Sequence, residues 1–318
     1  MSAMNLNGII KGLHHVTATV NEAQEDYDFY TKTLGLRLVK ETVNFDNEKV
    51  YHFYYGNEIG SPSTIFTTFP YKDQGVREGG IGHGQVYQTS FSIPEGTLQF
   101  WKNRLIEKGI TVKETDRFGT PILEFQDPSG LRLDIMEADT DNRVPVWSTH
   151  DVPKEVAIRG IHNVTILIPN KEETSSFLLK FGYQITNEGD GLTLFEAGEG
   201  GAGNSLIMKI DPKLPAGING LGTVHHVAHR IGRIEESIQL KEYLETELGL
   251  KVTEVRDRKY FKSIYFRIPG NVLFEVATED PGFLVDESNE DLGTSLKLPD
   301  WQEPNRQRIE KGLEPYQK

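Results

Sequence analysis

A short segment recurs four times along this chain, and that repeat limits the fold more than any other feature. Gly12-Leu13-His14-His15-Val16-Thr17 returns as Gly160-Ile161-His162-Asn163-Val164-Thr165 and, more loosely, as Gly222-Thr223-Val224-His225-His226-Val227-Ala228. A degraded copy lies at Gln85-Val86-Tyr87-Gln88-Thr89-Ser90. The leading doublet members are His14, Tyr87, His162 and His225, roughly 70 residues apart, which marks one supersecondary unit used four times.

Each copy continues in the same way. An alternating strand such as Val16 to Val20 comes first, then a helix. In copy one Ala23, Tyr27, Tyr30 and Leu34 form a helical stripe, with Asn21 as the expected N-cap and Gly35 as the stop. In copy four Ile234, Ile238, Leu244 and Leu248 mark the helix and Gly249 ends it. Two or three β-rich segments follow, such as Val50 to Tyr55 and Ser63 to Phe69, or Lys262 to Ile268 and Asn271 to Ala277. The expected class is α+β, built from four βαβββ modules at 9–70, 80–138, 155–211 and 220–278. One module has too little core to stand alone, so two pair into a domain and the 318 residues make two domains. Asp139 to Pro153 suits a linker. The acidic tail, 279–318, lies outside the repeats and is expected to pack across the surface.

Composition removes several function classes. The net charge of −13 argues against nucleic acid and against an anionic membrane surface as partners. The absence of Cys excludes thiolate metal ligands, Fe–S clusters and cysteine nucleophiles, and is compatible with a cytoplasmic protein. Residues Met1 to Asn7 show no leader pattern, and no run of 18 apolar residues predicts a membrane span.

The second doublet members are His15, Gln88, Asn163 and His226, so a ligating imidazole survives only in the first and last copies. Copy four also places Glu275 inside the apolar strand Val272-Leu273-Phe274-Glu275-Val276. Copy one has no carboxylate at that place, copy two has Asp134 and Glu137 without an imidazole, and copy three has Lys209. Strand parity puts His15, Thr17 and Thr19 on one face, and Glu275 opposite Val272, Phe274 and Val276. Two imidazoles and a carboxylate form the facial triad of non-heme Fe(II) and O₂ chemistry, with open positions for a hydroxylated ring. Zn(II) or another divalent ion fits the same N/O donors as a surrogate.

The ordered set Leu13-His14-His15-Val16-Thr17, Thr67-Thr68-Phe69-Pro70, Ile81-Gly82-His83-Gly84, His225-His226-Val227-Ala228, Arg256-Asp257-Arg258, Tyr260 to Arg267 and Gly270 to Ala277 resembles the vicinal oxygen chelate superfamily of glyoxalases and extradiol dioxygenases. Within it the chain is most similar to bacterial hydroquinone-type ring-cleaving dioxygenases. The resemblance implies a metal-bearing domain that pairs modules one and four, leaving modules two and three as a non-metal domain. It implies Fe(II) held by His15, His226 and Glu275, with catalytic roles for Thr17, His225, Arg258 and Tyr265. It also implies a small aromatic substrate and O₂ as reactants, and leaves a homo-oligomer open. Parity sets His225 opposite His226, so a role for His225 requires the strand end to twist.

Tyr51, Phe53, Tyr260, Phe261 and Tyr265 are expected to form an aromatic pocket rim. His52 reads as a packed strand histidine, His162 and His229 as structural, and His83 as a loop residue of open role. Two other functions compete. A glyoxalase-type metallo-isomerase usually uses four protein ligands in this superfamily, where three are found here. A non-catalytic small-molecule-binding module needs no retained ligand set.

Overall fold

A computed structural model of the chain describes residues 8–318; residues 1–7, to which the leader expectation applies, lie outside them. The chain begins with β1 (Leu13–Val20), β2 (Arg37–Asn44), β3 (Asn47–Gly56) and β4 (Ile65–Pro70). It continues through β5 (Gln85–Ile93), β6 (Lys113–Arg117), β7 (Thr120–Gln126), β8 (Arg132–Glu137), β9 (Gly160–Ile168), β10 (Gln184–Gly189), β11 (Leu192–Glu196) and β12 (Ser205–Ile210). It returns with β13 (Thr223–Ile231), β14 (Arg256–Asp257), β15 (Lys262–Arg267) and β16 (Leu273–Thr278). The first and last groups form one curled eight-stranded sheet, β14-β15-β16-β13-β1-β4-β3-β2. The middle group forms the other, β10-β11-β12-β9-β5-β8-β7-β6.

The seam of the first sheet is the antiparallel pair β1–β13, with Thr17 opposite His226. Its counterpart β5–β9 sets Gln88 opposite Thr165. All eight residues of β1 are buried, polar ones included. One face carries Val16, Ala18 and Val20 into the core, and the other lines a closed-in cavity.

The helices depart from the sequence pattern in two places. Asn21 does not cap α1 (Ala23–Tyr27); Glu22 holds that position without a side-chain bond. Asn21 is otherwise engaged, its N–H donating to Ser129 Oγ at 2.9 Å and its carbonyl accepting from Lys72 N. The stripe from Ala23 to Leu34 continues from α1 into a π-helical stretch, Asp28–Thr33, closed by Leu34 N donating to Phe29 O. Gly35 follows at φ +71°, where a Cβ would stand 2.8 Å from the Val152 side chain. The remaining helices are α2 (Leu98–Glu107), α3 (Glu172–Lys180), α4 (Ile234–Thr246) and α5 (Arg306–Gly312). In α4 the buried stripe is Ser237, Leu240 and Leu244, while Ile238 turns to solvent, 52% exposed. Ile238 is one residue from Ser237 and six from Leu244, off the i, i+3, i+4, i+7 face.

The segment between the second and third repeats is docked rather than loose. Arg143 donates to Ser63 O at 2.8 Å and to Ile161 O at 3.0 Å, stitching the two sheets together. The tail crosses the outer side of β2 and β3. Its Leu298, Ile309 and Leu313 cover Val43, and Tyr316 packs on Tyr51 and Phe53. The fully buried Lys40 ammonium is neutralised by Asp286, at 2.6 Å, and by Glu287. Among the described residues, no helix is long and apolar enough to cross a membrane.

Candidate metal centre

Three strands deliver one donor each to a single point. His15 comes from β1, His226 from β13 and Glu275 from β16. Glu275 Oε2 lies 2.8 Å from His226 Nε2 and 3.3 Å from His15 Nε2, and the two Nε2 atoms are 3.3 Å apart. All three side chains are buried, and among the described residues this is the one group of at least three such donors close enough to hold an ion. Glu275 Oε2 nevertheless accepts no well-aligned hydrogen bond. A fully buried carboxylate oxygen beside two imidazoles, bonded to neither, fits lone pairs directed at a shared cation. Ser263 Oγ bonds the other oxygen, Oε1, and so orients the carboxylate. Burial pushes the Glu275 carboxyl up, but His15 and His226 outweigh it and hold it well below the usual range. These residues fit a divalent ion of the Fe(II) type.

Each imidazole of the cluster is backed by the histidine before it. His14 Nδ1 lies 2.9 Å from His15 Nδ1, and His225 Nδ1 lies 2.8 Å from His226 Nδ1. For Nε2 of His15 and His226 to offer a lone pair, Nδ1 must carry the proton and donate it. His14 and His225 then accept at Nδ1 and keep their own proton on Nε2. His14 is neutral near pH 7, since burial, then the adjacent imidazole, pushes it down to about 3; His225, whose ring also reaches solvent, is lowered in the same direction by its packing and then by His226. In each doublet the first ring therefore orients the second, the one whose Nε2 could hold an ion. Parity alone separated His225 from His226; the rings turn edge to face, and both line the cavity.

That cavity has a volume of about 240 Å³ and contains every candidate from the sequence: His15, Thr17, His225, His226, Arg258, Tyr265 and Glu275. Arg258 Nε donates to Tyr265 Oη at 3.1 Å, and its Nη1 reaches Asp46 at 3.2 Å. Burial, then the Glu275 charge, pushes the Tyr265 phenol up despite Arg258, so its hydroxyl stays protonated.

The expected aromatic rim is corrected in part. Phe261 and Tyr265 line the cavity, but Tyr51 and Phe53 pack under Tyr316, and Tyr260 packs against Phe283. The rim is completed instead by Phe45, His52, Tyr54, Phe69 and Tyr71, with Asn44 and Asp46 at the polar end. Alternation along β3 was the available signal, because His52 and Tyr54 share one face and Tyr51, Phe53 and Tyr55 the other. His52 is thus both packed, between Tyr54 and Phe69, and part of the cavity wall. His83 lies elsewhere and bonds Asp211 O at 2.5 Å; His229 bonds Tyr183 Oη at 3.0 Å in the core, as a structural histidine does.

The second sheet carries the same register positions with different chemistry. Asn163, Gln88 and Asp134 stand where His15, His226 and Glu275 stand in the first. Arg117 donates to Asp134 Oδ2 at 2.9 Å and to Ser90 Oγ at 2.8 Å.

Two curled sheets of repeated modules with a His/His/Glu cluster on one concave face define a protein of the vicinal oxygen chelate type. Residues 12–135 match the family model of the glyoxalase/bleomycin resistance protein/dioxygenase superfamily. The chain is 43% identical over 308 residues to MhqO of Bacillus subtilis (strain 168), by name a ring-cleaving dioxygenase, covering 96% of each chain. It is 41% identical to the chlorohydroquinone/hydroquinone 1,2-dioxygenase of Sphingobium indicum, covering 93% of each. A crystal structure from Bacillus subtilis, titled as that of a dioxygenase, superposes with a TM-score of 0.92 at 41% identity, covering 97% of this chain and 98% of that one. The chain belongs to the glyoxalase/bleomycin resistance protein/dioxygenase superfamily.

Proposed function

We propose that the protein is an Fe(II)-dependent dioxygenase that opens a hydroquinone- or catechol-type ring with O₂, in the detoxification of quinones and related aromatics. The observation that carries this reading is the convergence of His15 Nε2, His226 Nε2 and Glu275 Oε2 at the floor of a small cavity walled by aromatic rings. The named activities of the relatives at 41–43% identity support the same class. When bound, Fe(II) supplies open positions for the substrate hydroxyl and O₂ and the redox chemistry that spin-paired organic rings need to react with O₂.

The protein's own residues do the rest. The aromatic walls position a planar ring and exclude water. Tyr265, held by Arg258, offers its O–H to an oxygen of the bound ring, and Arg258 adds a fixed positive charge behind it. His225, neutral with its proton on Nε2, is placed at the cavity mouth to donate a hydrogen bond to a developing oxygen anion. Thr17, on the same face of β1 as His15, offers a hydroxyl beside the metal position.

In this reading modules one and four, 9–70 and 220–278, form the catalytic domain, and modules two and three, 80–138 and 155–211, the supporting one. The acidic chain gives nucleic acid no role. A reducing cytoplasm would keep the iron ferrous, and a homo-oligomer is compatible with the site, which one chain completes.

Oxygen-electrode measurements on anaerobically Fe(II)-loaded protein test the proposal. Hydroquinones or catechols should drive O₂ uptake with Fe(II) and not with Zn(II), which has no redox chemistry. Turnover of a glutathione hemithioacetal without O₂ uptake would instead establish an isomerase, and ligand binding with neither reaction a binding module.

A further inference from the structure

The cavity wall contains a run of three polar side chains that the roles above leave partly unused. His52 Nε2 lies 2.8 Å from Thr67 Oγ1, and Thr67 Oγ1 lies 2.9 Å from Thr17 Oγ1. Thr17 and His52 face the cavity, while Thr67 is fully buried behind them. We propose that His52 is a positioning residue: through Thr67 it holds the Thr17 hydroxyl as a hydrogen-bond donor aimed into the substrate cavity.

In the proposed arrangement Thr67, with a single hydroxyl proton, gives it to Thr17 Oγ1, 2.9 Å away. Thr67 Oγ1 can then only accept from His52, so His52 carries its proton on Nε2. Thr17, already accepting from Thr67, has its own proton free for the cavity. A donor there suits an ionised ring hydroxyl, whereas the reversed chain would present lone pairs to it. The tilted packing of His52 against Tyr54, at 4.0 Å between ring centroids, and against Phe69, at 4.2 Å, confines the ring so that Nε2 stays on Thr67. Burial, then the nearby His15 and His226 rings, holds the imidazole well below its usual range and keeps it neutral.

The second sheet shows that the fold does not need this run. Its counterpart of Thr17 is Thr165, whose parallel partner is Ile207 where the first sheet pairs Thr17 with Thr67. The partner of Ile207 on the next strand is Leu194, matching Tyr54 beside Thr67, which sets Leu192 at the place of His52. Thr165 Oγ1 is buried and has no hydrogen-bond partner. Leu192, Ile207 and an unpaired Thr165 build the same register without a relay. The polar run accompanies the metal ligands rather than the architecture.

The role in turnover rests on the dioxygenase reading; the proton arrangement does not, so it is tested separately. In metal-free protein labelled with ¹⁵N-histidine, long-range ¹H–¹⁵N spectra should show His52 as the Nε2–H tautomer. The signature should shift in Thr67→Val and return in Thr67→Ser. A Nδ1–H tautomer or an imidazolium at pH 7 would overturn the proposal, whatever substrate the protein turns over. In Fe(II)-loaded protein, His52→Leu and Thr67→Val should each lower kcat roughly tenfold, with metal content unchanged and KM moved less than kcat. The double variant should lose no more than either single one, because the chain acts as a unit. Losses that multiply, or unchanged kcat in both single variants, would reduce His52 to wall packing. Leu192 at the equivalent place indicates that His52→Leu folds.

Discussion

Asp134 holds the Arg117 guanidinium at 2.9 Å in the second sheet, at the register position that Glu275 occupies in the first. A side-chain cation there takes over the charge-balancing part that a metal ion would play in the first sheet. Burial pushes the Asp134 carboxyl up even with Arg117 beside it, and Asp134 Oδ1 has no partner. Arg117→Met should therefore destabilise the protein by about 3–5 kcal/mol, since it strands a buried carboxylate. Adding Asp134→Leu should recover most of the loss. Chemical denaturation of the three proteins measures both steps, and a double variant as unstable as the single one would mean that Arg117 contributes mainly by packing.

Metal stoichiometry follows from the same comparison. One ion per chain is expected, lost almost completely in His226→Ala and in Glu275→Gln. Gln88→Ala and Asn163→Ala should keep it, because those amides stand in the sheet whose cation is Arg117. Elemental analysis of the purified variants decides this, and metal loss in Gln88→Ala would show that the ion sits elsewhere.

Tyr265→Phe removes the hydroxyl that Arg258 Nε holds at 3.1 Å and leaves the ring on His226. Turnover should fall on the order of tenfold to a thousandfold, overlapping the lower part of the roughly hundredfold to ten-thousandfold usual for general acid–base catalysis. Steady-state O₂ consumption at saturating hydroquinone, read beside metal content, gives the answer. A fully metallated variant with unchanged turnover would leave Tyr265 as wall packing alone.

Away from the cavity, Asp26 on α1 accepts from Tyr55 Oη at 2.7 Å and from Thr68 Oγ1 at 2.6 Å, while its Oδ1 has no partner. Burial pushes its carboxyl up to about 8. The folded state thus binds this proton more tightly than the unfolded chain does. Its contribution is complete below the unfolded value, about 4, and is lost as the pH rises through about 8. Asp26→Asn keeps an acceptor for Tyr55 and Thr68 and cannot ionise. Its stability relative to the parent should improve between pH 5 and pH 9, by up to roughly 1.4 kcal/mol per pH unit at the steepest. Thermal melts across that range would show a constant difference if Asp26 were already ionised in the folded protein.

The repeat made the architecture legible because it records spacing, and strand pairing preserves spacing. Loss of imidazole at Gln88 and Asn163 points to one surviving donor set, and parity places His15 and Glu275 on one shared face of the sheet. The aromatic rim was misread where residues were judged by nearness to the site rather than by strand face: Tyr51 and Phe53 alternate with His52 and Tyr54 and turn toward the tail. The cap of α1 was missed because Asn21 is tied by its backbone to Lys72 and Ser129, neighbours that only the tertiary fold supplies. The Nδ1 contacts within the doublets depend on ring torsions, which residue order does not encode.

The seam between β1 and β13 also sets a clock. His15 and His226 stand 211 positions apart, so at about 5–20 residues per second a ribosome needs roughly 10–40 s to deliver the second imidazole after the first. Glu275 emerges later still. Throughout that interval the intervening strands can complete their own sheet, while β1 waits with an unpaired edge and an incomplete donor set. A growing chain therefore presents no finished pocket in which ferrous iron and oxygen could meet. Redox chemistry is deferred until synthesis is nearly over, and a message cut short after the second sheet would yield a protein unable to assemble this centre.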